Sequence, residues 1–379
     1  MHSSTDFLVI GAGIAGASAA YFLAQQGHRV TLLERESQPG YHSTSRSAAM
    51  FMECYGNDQV RALTRASRAF LDHPPAGFTE YPLLQPRGCL TVAAPENADR
   101  LPKVWDMLRP YAPNLQQLTT EQACAKVPVL RPERVAGAIY DPDAADLDAN
   151  ALHQGFLRGA RQQGAQLVCD ADVTAAHYQN NLWHITIASG HTYSAPVVLN
   201  AAGAWADVVA KLAGVHPIGL QPCRRSAFTL NAPEGYDIHT WPLVDDINEQ
   251  WYFKPDAGQL LASPANADPV HPHDVQPEEM DIATGIWHLE ENTTLHIRRP
   301  THTWAGLRSF VSDKSLVCGF APDAPGFFWV AGQGGYGIQT SVAMGMASAA
   351  LASGQPLPNN LVHEGLTVAT LSPARLLKS

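Results

Sequence analysis

The chain has 379 residues, 45% of them hydrophobic by type, which is enough apolar material for two domains or for one large domain with insertions. Its 25 Lys and Arg stand against 35 Asp and Glu, a formal charge of -10, and no segment gathers bases and aromatics as a nucleic-acid groove does. The six cysteines are scattered without a CxxC pair, no run of about twenty apolar residues occurs and no basic leader opens the chain, so free thiols, a cytoplasmic location, no membrane span and no metal centre are expected.

Asp6-Phe-Leu-Val-Ile10 is a short apolar run with β-branched members. It leads into Gly11-Ala-Gly13-Ile-Ala-Gly16 and then an alanine-rich helical stretch that Gly27 ends. A second buried strand, Arg29-Val-Thr-Leu-Leu33, closes on Glu34, about twenty residues past the glycines. This order of strand, glycine turn, helix, strand and acid is the dinucleotide fingerprint. Gly11 permits the tight turn, Gly13 lets the backbone approach a pyrophosphate, and Gly16 allows close helix packing, so the helix N-terminus faces the anion. Glu34 can accept hydrogen bonds from both ribose hydroxyls and would repel a 2'-phosphate.

Residues 42–56, HSTSRSAAMFMECYG, change character midway. The first half offers hydroxyls and a guanidinium, while the second turns bulky, sulfur-rich and aromatic. From Asn57 an amphipathic helix is expected, with Val60, Leu63, Ser67 and Phe70 on one face, stopping before Pro74-Pro75. Residues 83–93 read as strand, turn, strand, and 148–163 as a helix with Asp148 as cap. Short strands follow over 166–203, then 220–230 and 249–262. Near the end, a strand-like run at 326–331 meets a second glycine turn at 332–337 and a helix expected over 338–350. A second positive helix end suits the negative charge of a reduced isoalloxazine, which a nicotinamide does not develop. The pattern is a nucleotide domain interrupted twice by a mostly antiparallel sheet.

Taken together, the motif from Gly11 to Gly16, LLERE, HSTSRSAA, VVLNAAGAWAD, WAGLRSF and GQGGYGIQTS resemble the D-amino-acid-oxidase-like FAD oxidoreductases, which include glycine and sarcosine oxidases. Within that family the motifs look most like the bacterial D-arginine dehydrogenase subgroup, and the resemblance covers nearly the whole chain. It implies an α/β fold (α+β overall), with a Rossmann-like FAD-binding domain over 1–82, 141–220 and 303–379 and an antiparallel substrate domain over 83–140 and 221–302. It implies hydride transfer from the α-carbon of a D-amino acid to flavin N5, giving an imino acid that water hydrolyses to a 2-oxo acid and ammonia. The partners it implies are a small amino acid or amine and an electron acceptor, oxygen or quinone. The FAD contacts it carries over are Ala15, Glu34, Arg35, Ser43, Thr44, Ser45, Arg46, Ser47, Ala48, Ala49, Met50, Val173, Gly334, Gly335, Tyr336, Gly337, Ile338 and Gln339. The sarcosine-oxidase branch tethers its flavin through a cysteine close to the position of Arg308; this chain has none there, so FAD is expected to be non-covalent.

An amino acid brings a carboxylate, which a guanidinium grips bidentately. By the resemblance Arg308 and Arg225 form that clamp, although Arg224 could take the role of Arg225. Tyr252 and Tyr55 match tyrosines at the carboxylate and over the substrate, with Gly306 offering its carbonyl to the amine and Gln339 completing the site. No obvious general base stands out. The chain departs from the subgroup at Met50, where a histidine is expected, and at Cys89, where a glutamate pairs with a cationic side chain. Met50 and Cys89 soften the pocket, as do Phe51 and Met52 if they face inward, so apolar or uncharged D-amino acids are expected over D-arginine and D-lysine, with Glu53 as a candidate replacement carboxylate. The alternatives are a secondary-amine enzyme of the sarcosine or proline type, and a flavoprotein that only binds. The loop His271-Pro-His-Asp274 is read as a loop rather than a metal site.

Overall fold

Phe7–Ile10 and Val30–Leu33 are buried at every residue, as strands covered on both faces must be. The computed structural model, which describes residues 2–376, places them in a six-stranded sheet. Its order is Gln166–Val168, Val30–Leu33, Phe7–Ile10, Val197–Asn200, Phe327–Ala331 and Val317–Phe320. All of its pairings are parallel except the last. The helix Ile14–Gln25 rises directly from the glycine turn and packs on Ser341–Ala352. Small residues make that approach possible: a Cβ on Gly345 would come within 2.8 Å of the Phe22 ring, and one on Gly16 would strike the Gly11 carbonyl. Ser341–Ala352 begins three residues later than expected. The intervening residues close a turn of their own, with Tyr336 N–H donating to Gln333 O at 2.8 Å and Thr340 N–H to Tyr336 O at 3.1 Å.

The larger sheet runs Asp268–Pro269, Gln221–Asn231, Gln259–Ser263, Tyr252–Asp256, Leu243–Asp246, Cys89–Ala93, Gly137–Asp141 and Gln116–Leu118. His302–Phe310 adds to it by pairing with Gln221–Asn231, so this strand lies across the boundary expected at residue 303. Every pairing is antiparallel except that between Leu243–Asp246 and Cys89–Ala93. The strands at 84–86 and 89–93 do not pair with each other. Leu84–Pro86 joins Met50–Phe51 and Ala145–Leu147 in a small separate sheet, and Gly88, at φ +76°, redirects the chain between the two.

The helix expected from Asn57 is present as Asp58–Asp72, and its cap is the Asn57 side chain, which accepts from Val60 N–H at 3.0 Å. It packs on Ser341–Ala352, where Ser67 Oγ accepts from Ala343 N–H at 3.1 Å. Ala149–Gln162 is likewise capped by Asp148, which accepts from Ala151 N–H at 2.8 Å. Among the described residues no helix is long and apolar enough to cross a membrane.

Candidate active site

The two sheets meet along an elongated cleft made of two adjoining cavities that share Gly13, Ser43, Thr44, Ala201, Gly203 and Ala204. Their cavity volumes are about 250 and 340 Å³, and because they adjoin, a dinucleotide and a substrate can lie end to end along the cleft.

Gly11, Glu34, Arg35 and Val173 line the second cavity. Glu34 is buried and its carboxylate is fixed, accepting from Ala12 N–H at 2.9 Å and from Glu36 N–H at 3.1 Å. The Arg35 guanidinium lies 4.9 Å over the Trp205 ring and forms a wall with it. Gly11 has φ +97°, and a Cβ there would come within 2.5 Å of Ala201 O. A Cβ on Gly13 would reach to 3.2 Å of Thr44 Oγ1, which itself accepts from Ile14 N–H at 3.0 Å. The glycines thus leave open a cradle at a helix N-terminus, the setting that binds a pyrophosphate.

One residue of this cradle was not anticipated. His153 is buried behind the turn with Nε2 2.8 Å from Ala12 O, and burial holds its imidazole below the usual range. The neutral ring therefore donates to that carbonyl. A lone histidine in an amphipathic helix gives no sequence signal of such a contact.

Between the cavities, residues 43–50 cross from one sheet to the other. Ser43 Oγ donates to Leu307 O at 2.7 Å, and Arg46 Nη1 donates to Val275 O at 3.1 Å and Ala305 O at 3.0 Å. Arg46 Nη2 pairs with Asp274 at 2.6 Å, so the acid of the His-Pro-His-Asp loop anchors this crossing. Arg46, Ser47, Ala48, Ala49 and Met50 line the first cavity with Ala15. Ser45 does not: its hydroxyl turns back to Tyr41 O at 2.9 Å, because the 3-10 turn at Ser43–Arg46 rotates it outward.

From the second glycine turn, Gly334, Gly335, Gly337, Ile338 and Gln339 line the cavity. Tyr336 stands behind them, its ring edge-on to Tyr55 at 5.1 Å, and so supports the wall without forming it. Gln339 spends its amide on the neighbouring loop, accepting from Met52 N–H at 3.3 Å and donating to Thr64 Oγ1 at 2.9 Å.

At the far end, the register of Gln221–Asn231 against His302–Phe310 sets Arg225 opposite Gly306 and Cys223 opposite Arg308. Arg225, Gly306 and Arg308 all line the cavity, with Tyr55 and Tyr252. Arg308 Nη2 donates to Tyr55 Oη at 3.0 Å, and Arg225 Nε to Asn266 O at 2.5 Å. Among the described residues neither arginine forms an ion pair. Burial first, and then the nearby Arg308 charge, push the Arg225 guanidinium below its usual range. Two such groups facing one cavity call for an anion between them. Arg224 alternates to the other face, where it pairs with Asp268 at 3.3 Å, with Asp281 at 2.8 Å and with Glu278, so it is not the clamp.

The expected softening of the pocket is only partly found. Met50 and Met52 line it, but Phe51 is fully buried elsewhere, and Glu53 turns to Arg68 at 3.5 Å. Cys89 sits one layer behind the wall, and its thiol donates to Asp245 Oδ1 at 3.6 Å. The wall itself is Leu243, Asp245, Glu249 and Trp251, none of which was singled out in the sequence. Alternation would have paired Leu243 with Asp245 on one face, but nothing local says which cavity that face meets.

A mostly parallel sheet carrying the dinucleotide fingerprint is thus joined through one cleft to a mostly antiparallel sheet that turns two arginines without ion pairs toward it. The family described as DAO, FAD dependent oxidoreductase, matches residues 6–351, and the chain belongs to that family. FAD is therefore its cofactor, and the glycine cradle, Glu34 and the second glycine turn fit it. No cysteine lines either cavity among the described residues. The chain is 25% identical to FAD-dependent oxidoreductase domain-containing protein 1 of Bos taurus, over 91% of this chain and 80% of that protein. It is 24% identical to the glycine oxidase of Geobacillus kaustophilus, over 96% of each. The crystal structure of that glycine oxidase has the same fold, with a TM-score of 0.83 at 22% identity over 98% of this chain and 99% of that one. These relatives carry the family resemblance but not the narrower one to D-arginine dehydrogenase.

Proposed function

We propose that the chain oxidises a D-amino acid at its α-carbon, releasing an imino acid that water converts to a 2-oxo acid and ammonia. The observation that supports this reading is the pair of unpaired guanidiniums, Arg225 and Arg308, at the substrate end of an FAD cleft. Bound FAD supplies the acceptor for the hydride. Arg308, held by Tyr55, and Arg225, beside Tyr252, grip the α-carboxylate and so orient the α-carbon. Each charge-assisted bond contributes about 1.5 to 3 kcal/mol. Gly306 has no side chain, so the amine can lie against its strand backbone and donate to a carbonyl there. Met50, Met52, Leu243 and Trp251 form the apolar part of the side-chain channel, beside Asp245 and Glu249, and favour apolar or uncharged side chains.

The test is anaerobic addition of D-amino acids, L-amino acids, sarcosine and both prolines to the holoenzyme. Loss of visible flavin absorbance with D-methionine or D-leucine is the expected result. Bleaching by sarcosine or proline alone would make the substrate a secondary amine on the same clamp, and an oxidised flavin throughout would contradict the enzyme reading.

A further inference from the structure

One carboxyl group on the cavity wall has no role in the reaction described above. Asp245 lies on Leu243–Asp246, in register with Tyr252 on one side and Thr91 on the other. It lines the cavity, and among the described residues it has no cationic partner, only the Cys89 thiol at 3.6 Å and the Thr91 hydroxyl.

The strand ladder places it relative to the clamp. Arg225 and Asp245 lie on strands separated by Gln259–Ser263 and Tyr252–Asp256, three strand spacings or about 14 Å between backbones. The α-amine of an amino acid is only two bonds from its carboxylate. With the carboxylate between the arginines and Tyr252 and the amine at Gly306, Asp245 stands on the other side of Tyr252 from the amine, and the group left to face it is the side chain. Leu243, Met50 and Met52 line the same cavity and pack with Cys89, whose thiol donates to Asp245.

We propose that Asp245 reads the far end of the substrate side chain: ionised, it selects a cationic end, and protonated, it accepts an uncharged one. This inference rests on the carboxylate-clamp reading given under Proposed function. The groups around Asp245 support a switch in the neutral range. Cys89 faces it from Cys89–Ala93, with Asp141 of Gly137–Asp141 beyond. Tyr252 and Lys254 stand on Tyr252–Asp256, and the Lys254 ammonium is taken by Asp146 at 2.6 Å. Asp246 and Glu249 belong to the same hairpin, and Arg225 and Arg308 stand across the cavity. Burial above all, helped by the charges of Glu249 and Asp246, pushes the Asp245 carboxyl up to about 7, against the hydrogen bonds from Thr91 and Cys89.

Hexanoate and 6-aminohexanoate test this directly, since both carry the carboxylate, differ at the far end and lack an α-amine to oxidise. Their binding to the holoenzyme is read from the perturbation of the flavin spectrum near pH 5.5 and near pH 8.5. In the wild type the preference for 6-aminohexanoate is expected to rise about tenfold between these pH values, the strength of one charge-assisted hydrogen bond. Asp245→Asn should flatten that rise while still binding hexanoate, which also shows that the variant is folded. The wild-type series, repeated as the kcat/KM ratio of D-lysine to D-norleucine, needs no variant. A preference that changes neither with pH nor with Asp245→Asn, while hexanoate still binds, overturns the role of Asp245 alone. If neither acid perturbs the wild-type flavin, the clamp fails and the inference falls with it.

Discussion

Gly335 and Arg308 show how closely single residues set this site. A Cβ at residue 335 would land on the Arg308 guanidinium, so Gly335→Ala must displace the arginine from the clamp. Steady-state kinetics of that variant, expressed per bound flavin, should show KM for D-methionine raised by about tenfold to a hundredfold, the loss of one charge-assisted bond. An unchanged KM would mean that Arg308 does not hold the substrate. His153 acts through the glycine cradle. Its folded-state pKa is depressed, so its contribution to stability is complete above the unfolded value of about 6.5 and is lost as pH falls through the folded value. Thermal unfolding should therefore show a Tm that drops below about pH 6.5, and His153→Gln should reduce that drop. At this scale Arg308 was readable from the motif WAGLRSF, and Arg225, Tyr55 and Tyr252 were expected only through the family resemblance. Asp245 and His153 were not, because their meaning depends on what a distant strand or turn places beside them.

At the scale of elements, Asn57 ties the substrate loop to the helix that follows it. Besides capping Asp58–Asp72, it donates through Nδ2 to Ser315 Oγ at 3.0 Å and to Lys314 O at 3.3 Å. Just before it, Gly56 has φ +89°, and a Cβ there would come within 2.7 Å of Val60, so the chain carrying Tyr55 turns tightly onto the helix. Asn57→Ala should cost about 1 to 2 kcal/mol in urea unfolding. A loss well under 0.5 kcal/mol would show the cap to be dispensable, since ordinary surface changes fall within about that range. Periodicity and capping residues made this helix and Ala149–Gln162 readable in advance. The glycine turn before Ser341–Ala352 was readable too, but not its length, because the five residues from Tyr336 to Thr340 are held by bonds of the turn itself. At 83–93 both strands were readable, but not that they belong to different sheets.

For the whole molecule, two sheets share one cleft, and residues 43–50 bind them together through Ser43 and Arg46. The glycine fingerprint made the parallel sheet and its dinucleotide legible, and the alternation of strands made the second sheet legible as mostly antiparallel. Which face of that second sheet meets the flavin was not legible, since alternation groups residues by face without saying what the face opposes. Arg224 and Arg225 are adjacent in sequence and open on opposite sides, one onto Asp268 and Asp281, the other onto the cleft. The central claim is that an α-carboxylate held by Arg225 and Arg308 presents its α-carbon to FAD. Anaerobic titration of wild type and Arg308→Met with D-methionine, followed by visible flavin absorbance, tests it most directly. The wild type should bleach, and the variant should need at least about tenfold to a hundredfold more substrate. A wild-type flavin that stays oxidised, or a variant that bleaches at the same concentration, would contradict the claim.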